Sequence, residues 1–339
     1  MYIMEAKITS VRIEDEPPIS FRLIYLWKIS STAIIHILLI PWMFYYLLKN
    51  WLNPIILAYT NLPFSKDLNP SLSKYSLFEK IQSSNPTIGK LIPKTLFIPS
   101  SMSADQKIDS VKDFINKHSI SYPVIAKPDE GTRSLGGFLV ENEESLLWLL
   151  KDLKVNYLIQ QYYSDPIEAG LYFIRSTQFD HPSQYGIAIK HQVYGELKSP
   201  HKNLISLRSK FLCTDVTSRM TPELEKIIVD TAEAIPFDMG RIDVVIPSIE
   251  DLFTKPETMK ILEVNTGFDT IDLHSADLKY SFLQRVVMIK NKWQYALEVG
   301  RKNYLNTSYR INLSTFLVKY IRYGFFLNAI KNRFKSSKI

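Results

Sequence analysis

The chain of 339 residues is 46% hydrophobic and 12% aromatic, which excludes a disordered polymer and leaves room for one large or two to three modest cores. Its one cysteine, Cys213, can supply neither an intrachain disulfide nor a cysteine metal cluster. The net charge of +7 is uneven: between residues 313 and 339 stand Lys319, Arg322, Lys331, Arg333, Lys335 and Lys338 with no acid, so that end favours an anionic surface.

Residues 23–57 form the most apolar stretch, with a core at 33–48 interrupted only by His36 and Pro41. The run 24–48 is long enough to cross a bilayer, but Lys28, His36 and Pro41 weigh against a simple span. Trp27, Trp42, Tyr45, Tyr46 and Trp51 suit the headgroup boundary, so a re-entrant hairpin or an interfacial helix competes with a span. A buried core helix or an oligomer contact is the bland alternative. Acidic Glu14, Asp15 and Glu16 precede the run, which argues against a cleaved signal peptide. The expected location is the cytoplasmic face of the membrane.

After a polar linker at 61–70, the chain reads as alternating strands and helices, α+β or α/β. Residues 77–99 read as a small connecting region, 104–118 as an amphipathic helix and 122–126 as a buried strand. A helix follows at 143–153 with Asn142 as N-cap, then strands at 157–161, 168–174 and 185–193. A helix at 222–234 has Thr221 as N-cap and Glu223 and Glu225 in its first turn. Strands at 241–246 and 259–264 flank a largely polar insert at 247–258. From residue 313 onward, Phe316, Leu317, Tyr320, Ile321 and Phe325 recur near the helical period with cations mostly off that face. That pattern suits a basic helix on anionic lipid or an ordinary docked helix. The division read from these segments is 1–64 hydrophobic and membrane-associated, 65–105 linker, 106–305 catalytic and 306–339 basic amphipathic helix.

Four short stretches carry chemistry. In the first, a strand delivers Lys127 into a loop holding Gly131, Thr132, Arg133, Ser134 and Gly136. Glycines let backbone amides approach phosphate oxygens, hydroxyls add donors, and the lysine adds fixed charge; a plain turn is the alternative. In the second, Gln160 or Gln161 could offer an amide to a purine edge, Tyr163 its backbone, and Glu168 an acceptor for ribose hydroxyls; taken alone, this stretch reads first as a surface strand with an Asp-Pro turn. The third and fourth are Arg241 with Asp243, and Glu263 with Asn265. Alternation sets each pair on one strand face. If the strands pair, Asp243, Glu263 and Asn265 form an oxygen-ligand set suited to magnesium. A plain salt bridge from Arg241 to a carboxylate is the competing reading.

In this order and spacing the four stretches resemble the ATP-grasp superfamily, in particular its D-alanine:D-alanine ligase-like branch, over about residues 94–297. The resemblance implies ATP held between two α+β lobes with Mg2+ bridging its phosphates. It implies that Lys127 and Lys190 bind phosphate, with Arg208 and Lys210 as rivals to Lys190, and that residues 131–136 form a lid. Glu168 would hold ribose, Asp243, Glu263 and Asn265 the metal, and Arg241 the transferred phosphoryl group. Where the family commonly has a glutamate at the adenine amine, this chain has Gln160 or Gln161, and the loop after Asn265 departs from the acceptor loop of the D-alanine enzymes. Residues 40–46 resemble the Trp/Pro/Tyr-rich hydrophobic leader of some ATP-grasp proteins.

The implied activity is a carboxylate–amine ligase acting on small molecules through an acyl phosphate. The alternatives are an ATP-grasp phosphotransferase and a noncatalytic nucleotide-binding membrane protein. No protein nucleophile is required, so the scattered histidines are surface or packing residues, with His191 and His274 nearest the expected substrate. No nucleic-acid partner is indicated, because basic residues interleaved with stacking aromatics are lacking.

Overall fold

The computed structural model describes residues 19–49, 54–59, 73–131, 135–151, 153–165, 167–175, 184–195, 204–206, 209–235, 238–266 and 279–308, with Asp277 and isolated positions between 310 and 328. The linker expected at 61–70 lies outside them, as do Thr132, Arg133, Ser134, Arg208 and His274. The backbone of His191 and Lys210 is described but their side chains are not.

The first described element is helix α1 (Ile19–Lys49), which runs unbroken through Pro41. A short 3-10 turn (Pro54–Tyr59) follows. Helix α2 (Lys74–Ser84) starts where Ser73 accepts from the Ser76 amide, and α3 (Pro86–Gly89) where Asn85 caps Ile88. Strand β1 (Thr95–Ile98) comes next. The region expected to be a mere connection therefore holds two helices and a strand, because its apolar residues Leu77, Phe78, Ile81 and Ile88 are core positions. Helix α4 (Ala104–Lys117) carries a full capping box between Ser103 and Gln106.

Strands β2 (Val124–Pro128) and β3 (Phe138–Val140) lead to α5 (Glu143–Lys151), whose Ser145 amide donates to Asn142 as the cap expected. Then come β4 (Tyr157–Gln161), β5 (Ile167–Ile174), β6 (Gln184–Gly195), β7 (Leu204–Ser206) and β8 (Ser209–Asp215). Helix α6 (Pro222–Ala234) has the Thr221 cap read from sequence. Strand β9 (Met239–Ile246), helix α7 (Ile249–Thr254), strand β10 (Lys260–Thr266) and the long helix α8 (Phe282–Asn306) complete the body. The insert taken as polar contains α7, held by buried Leu252 and Phe253.

Two five-stranded sheets result, in the orders β1-β4-β2-β3-β7 and β10-β9-β5-β6-β8. Every described strand pair is antiparallel, so the class is α+β rather than α/β. The first sheet is covered by α4 and α5, with Val111, Phe114, Leu146 and Leu149 packed on Val124, Ala126 and Ile159. The second packs against α2, α3, α6 and α7 through Phe78, Ile81, Ile228 and Leu252. Each fully buried side chain of this size contributes about 1.5–3 kcal/mol. Leu158 of β4 belongs to this second core, so the sheets meet there and the functional residues gather along that seam.

Helix α1 does not stand apart. Its Ile35 and Leu39 share a cluster with Ile174 and Met239 of the second sheet and Ile289 and Ala296 of α8.

Candidate functional site

Lys127 leaves β2 and reaches across to β10, donating to the Leu262 carbonyl at 2.8 Å and to Gln160 Oε1 at 3.0 Å. The acceptor on β10 exists because of a bulge. Ile261 pairs with Val244 but Glu263 pairs with Asp243, leaving Leu262 as the extra residue. Regular pairing would set Glu263 opposite Ile242. The bulge instead brings Glu263 opposite Asp243 and Asn265 opposite Arg241, so all four stand on one face. Burial pushes the Lys127 ammonium down to about 8, and nearby Lys74 adds to the effect against the pull of Glu263 and Asp243.

Asp243 is the hub. Arg241 grips it with two hydrogen bonds, Nε to Oδ1 at 2.7 Å and a terminal nitrogen to Oδ2 at 2.9 Å. Lys190 lies 2.9 Å from Oδ1, and Asn265 Nδ2 donates to Oδ2 at 2.9 Å. Burial would raise this carboxyl, but Arg241 and Lys190 outweigh it and hold it at about 2. Lys190 also donates to Glu168 at 2.6 Å, its partner in the β5–β6 register. Burial would depress its ammonium, yet Asp243 and Glu168 raise it. Lys190 and Arg241 are thus both held charged within one cluster.

The second carboxylate, Glu263, lies 3.5 Å from Lys74 at the start of α2. Lys74 also donates to the carbonyls of Asp129 at 3.1 Å and Gly131 at 3.3 Å, while the Tyr75 amide donates to Asp129 Oδ1 at 2.9 Å. Lys74 and Asp129 therefore tie the base of the glycine-rich loop to the carboxylate face. Neither was singled out from the sequence. Lys74 precedes the four stretches and its only local signal is the Ser73 cap, while Asp129 sits between Lys127 and Gly131 without a distinguishing neighbour.

Gly131 and Gly136 adopt φ of 152° and 76°, conformations that favour glycine. Tyr157 fixes the far side of the loop by donating to the Gly136 carbonyl at 2.9 Å. Of the two candidate glutamines, buried Gln160 is committed to Lys127 and, through Nε2, to Thr95 Oγ1 at 3.1 Å. Gln161 accepts from the Tyr163 hydroxyl at 3.1 Å, and the Lys260 ammonium sits 5.5 Å from the Tyr163 ring. The structure thus gathers Lys127, Gln160, Glu168, Lys190, Arg241, Asp243, Glu263 and Asn265 and adds Lys74.

The salt bridge weighed from the sequence is present between Arg241 and Asp243. Both Asp243 oxygens are engaged by Arg241, Lys190 and Asn265, so a cation here would displace part of that set; two opposed carboxylates and an amide on one face are hard oxygen donors of the kind magnesium takes. Among the described residues no three His, Cys, Asp or Glu side chains group as a metal site. A metal here would rest on Asp243, Glu263 and the amide oxygen of Asn265 and draw its other ligands from water or phosphate.

No curated protein matches the sequence. Among solved structures, the VanG D-Ala:D-Ser ligase from Enterococcus faecalis is 16% identical with a TM-score of 0.40, covering 65% of this chain and 63% of its own. A D-alanine–D-alanine ligase from Bacillus anthracis is 13% identical with a TM-score of 0.41, covering 69% of each chain. The ATP-grasp ligase PsnB, solved with a precursor variant, Mg and ADP, is 11% identical with a TM-score of 0.42, covering 70% of this chain and 61% of its own. The present chain thus spans less than two thirds of the VanG ligase. These likenesses are distant, and the assignment rests on the sequence family instead. Residues 87–277, more than half of the chain and running from α3 past β10, match the RimK-like ATP-grasp domain, and the protein belongs to that family.

Proposed function

We propose that the protein is a Mg-ATP-dependent carboxylate–amine ligase. The observation that carries the reading is the single cluster in which Lys127, Lys190 and Arg241 surround the paired carboxylates Asp243 and Glu263. Buried cations beside hard oxygen donors suit a polyphosphate and its counter-ion better than they suit a core, where such a cluster brings desolvation cost without packing gain.

Lys127 and Lys190 would neutralise phosphate oxygens, and the glycine-rich loop would add backbone amides to them. Gln161 and the Tyr163 backbone would meet the adenine edge, while Gln160 steadies Lys127. Glu168, two-fifths exposed in its side chain, would accept from ribose hydroxyls. Asp243, Glu263 and Asn265 would hold Mg2+, which supplies charge neutralisation when bound. Arg241, held in place by Asp243, would face the oxygens of the group in transfer. A substrate carboxylate would take the γ-phosphoryl group with ADP leaving, and an amine would then displace phosphate from the acyl phosphate to give the amide, which requires no protein nucleophile.

The test is thermal unfolding with Mg2+ and a nonhydrolysable ATP analogue, for wild type and Glu263→Gln. The expected result is a rise in Tm for wild type that is lost in the variant, because a ligand stabilises the state it binds. No rise in folded wild type at millimolar nucleotide would overturn the assignment. ADP release dependent on both a carboxylate and an amine, with amide product, then separates a ligase from a phosphotransferase.

A further inference from the structure

Helix α1 keeps one face against protein and leaves another without a protein partner among the described residues. Ser31, Ile35, Leu39 and Leu47 are buried, whereas Ile34, Ile37, Leu38, Ile40, Phe44 and Leu48 are exposed. From Ser30 to Leu48 no exposed position carries a charge. Nothing in the ligase reading uses this face.

We infer that this face lies in the surface of an anionic lipid bilayer, with α1 parallel to the membrane plane instead of crossing it. The orientation follows from what holds the other face. Arg285 of α8 donates to Ser31 Oγ at 2.8 Å and Thr32 Oγ1 at 2.6 Å, Trp293 Nε1 donates to His36 Nδ1 at 3.1 Å, and Tyr46 meets Glu298 at 3.5 Å. Reading Ser31, His36, Tyr46 against Arg285, Trp293, Glu298, the two helices run side by side in the same direction. The stretch Ser30–Lys49 is long and apolar enough to cross a bilayer. Were it to cross, it would carry Arg285, Lys290, Lys292 and Glu298 of α8 through hydrocarbon, where charged groups are strongly disfavoured. Lying flat, α1 places its uncharged face in the acyl boundary and keeps α8 on the water side.

Charge complementarity identifies the occupant as anionic lipid. After Glu298 the sequence has Arg301, Lys302, Arg310, Lys319, Arg322, Lys331, Arg333, Lys335 and Lys338 and no acid. Val318, Ile321 and Phe325 in that segment are exposed as well. Apolar insertion plus basic residues is the combination that binds anionic membranes stably.

The test uses the full chain and vesicles of phosphatidylglycerol with phosphatidylcholine. Cys213 is the one cysteine and is buried, so spin labels can be placed singly through Ile34→Cys, Ile37→Cys, Phe44→Cys and Leu48→Cys. The expected result is flotation with anionic vesicles, weakened by about tenfold or more on pure phosphatidylcholine, and one shared shallow depth for all four labels. Ile37→Glu combined with Phe44→Glu should abolish flotation yet keep the nucleotide-dependent rise in Tm. A depth that changes progressively from residue 34 to 48 would show a span and overturn the orientation. Wild type that fails to float, or that forms a dimer dissolved by Ile37→Glu without binding vesicles, would overturn the lipid partner. The label depths do not depend on the glutamate variant folding, and neither readout depends on ligase activity.

Discussion

At Lys127, burial and charge pull in opposite directions. Its ammonium is pushed down to about 8 from 10.5 by desolvation. A lysine whose folded value is depressed opposes folding fully below that value, and the penalty fades as pH rises from about 8 toward 10.5. For binding, the sign is reversed, because the neutral amine that relieves the fold no longer attracts phosphate. Nucleotide affinity of the free protein should therefore fall above pH 8 by up to about tenfold per pH unit, measured by calorimetric titration between neutral and alkaline pH. Lys127→Arg, which stays charged, should keep the affinity level. A wild-type affinity that stays level would remove Lys127 as the charge partner. Asp243 behaves oppositely: held at about 2 by Arg241 and Lys190 despite burial, it stays an anion throughout this range.

Among the elements, one backbone feature shapes the site and another the packing of the second sheet. The bulge at Leu262 turns Glu263 to the face of Asp243 and frees a carbonyl for Lys127. The other is Gly186 on β6, over which the Tyr172 ring of β5 lies, so that an added Cβ would sit 1.9 Å from that ring and 2.8 Å from Thr217 Oγ1. The ring cannot easily yield, since the Lys292 ammonium lies 4.9 Å from it and Thr217 Oγ1 accepts from the Ile187 amide. Gly186→Ala should destabilise the protein by about 1–3 kcal/mol through overpacking. Denaturant unfolding checks this, and an unchanged midpoint would mean that Tyr172 swings aside at little cost.

For the whole molecule, α8 is the strut between α1 and the second sheet. Arg285 bonds α1, Asn303 donates to the Tyr59 carbonyl at 3.0 Å and to Asp238 at 3.2 Å, and Lys292 covers Tyr172. Arg285→Met keeps the length of the side chain but removes its hydrogen bonds to Ser31 and Thr32. The expected outcome is loosening of α1, read as faster proteolysis within residues 19–49, with the nucleotide-dependent Tm rise retained. Loss of that rise would instead mean that α8 couples α1 to the nucleotide site.

Much of the fold was legible because its signals are local. Caps at Asn142 and Thr221 and the apolar runs of β4, β5 and β9 depend on neighbours in the chain, and the ordered stretches around Lys127, Glu168, Asp243 and Glu263 pointed to the ATP-grasp class that the domain match shows. Helix α8 was missed as an element because Arg285, Lys292 and Asn303 occupy buried positions on it, so polar residues interrupt the apolar period. Lys74 was missed because its partners lie far along the chain. The residue types, the alternation that pairs Arg241 with Asp243 and Glu263 with Asn265, and the long apolar run within α1 are legible in the sequence alone. Which carboxylates oppose each other, which lysine braces the loop and which face of α1 is covered depend on the folded chain, because a bulge, a cross-sheet hydrogen bond and a helix-helix contact join residues that have no local signal for one another.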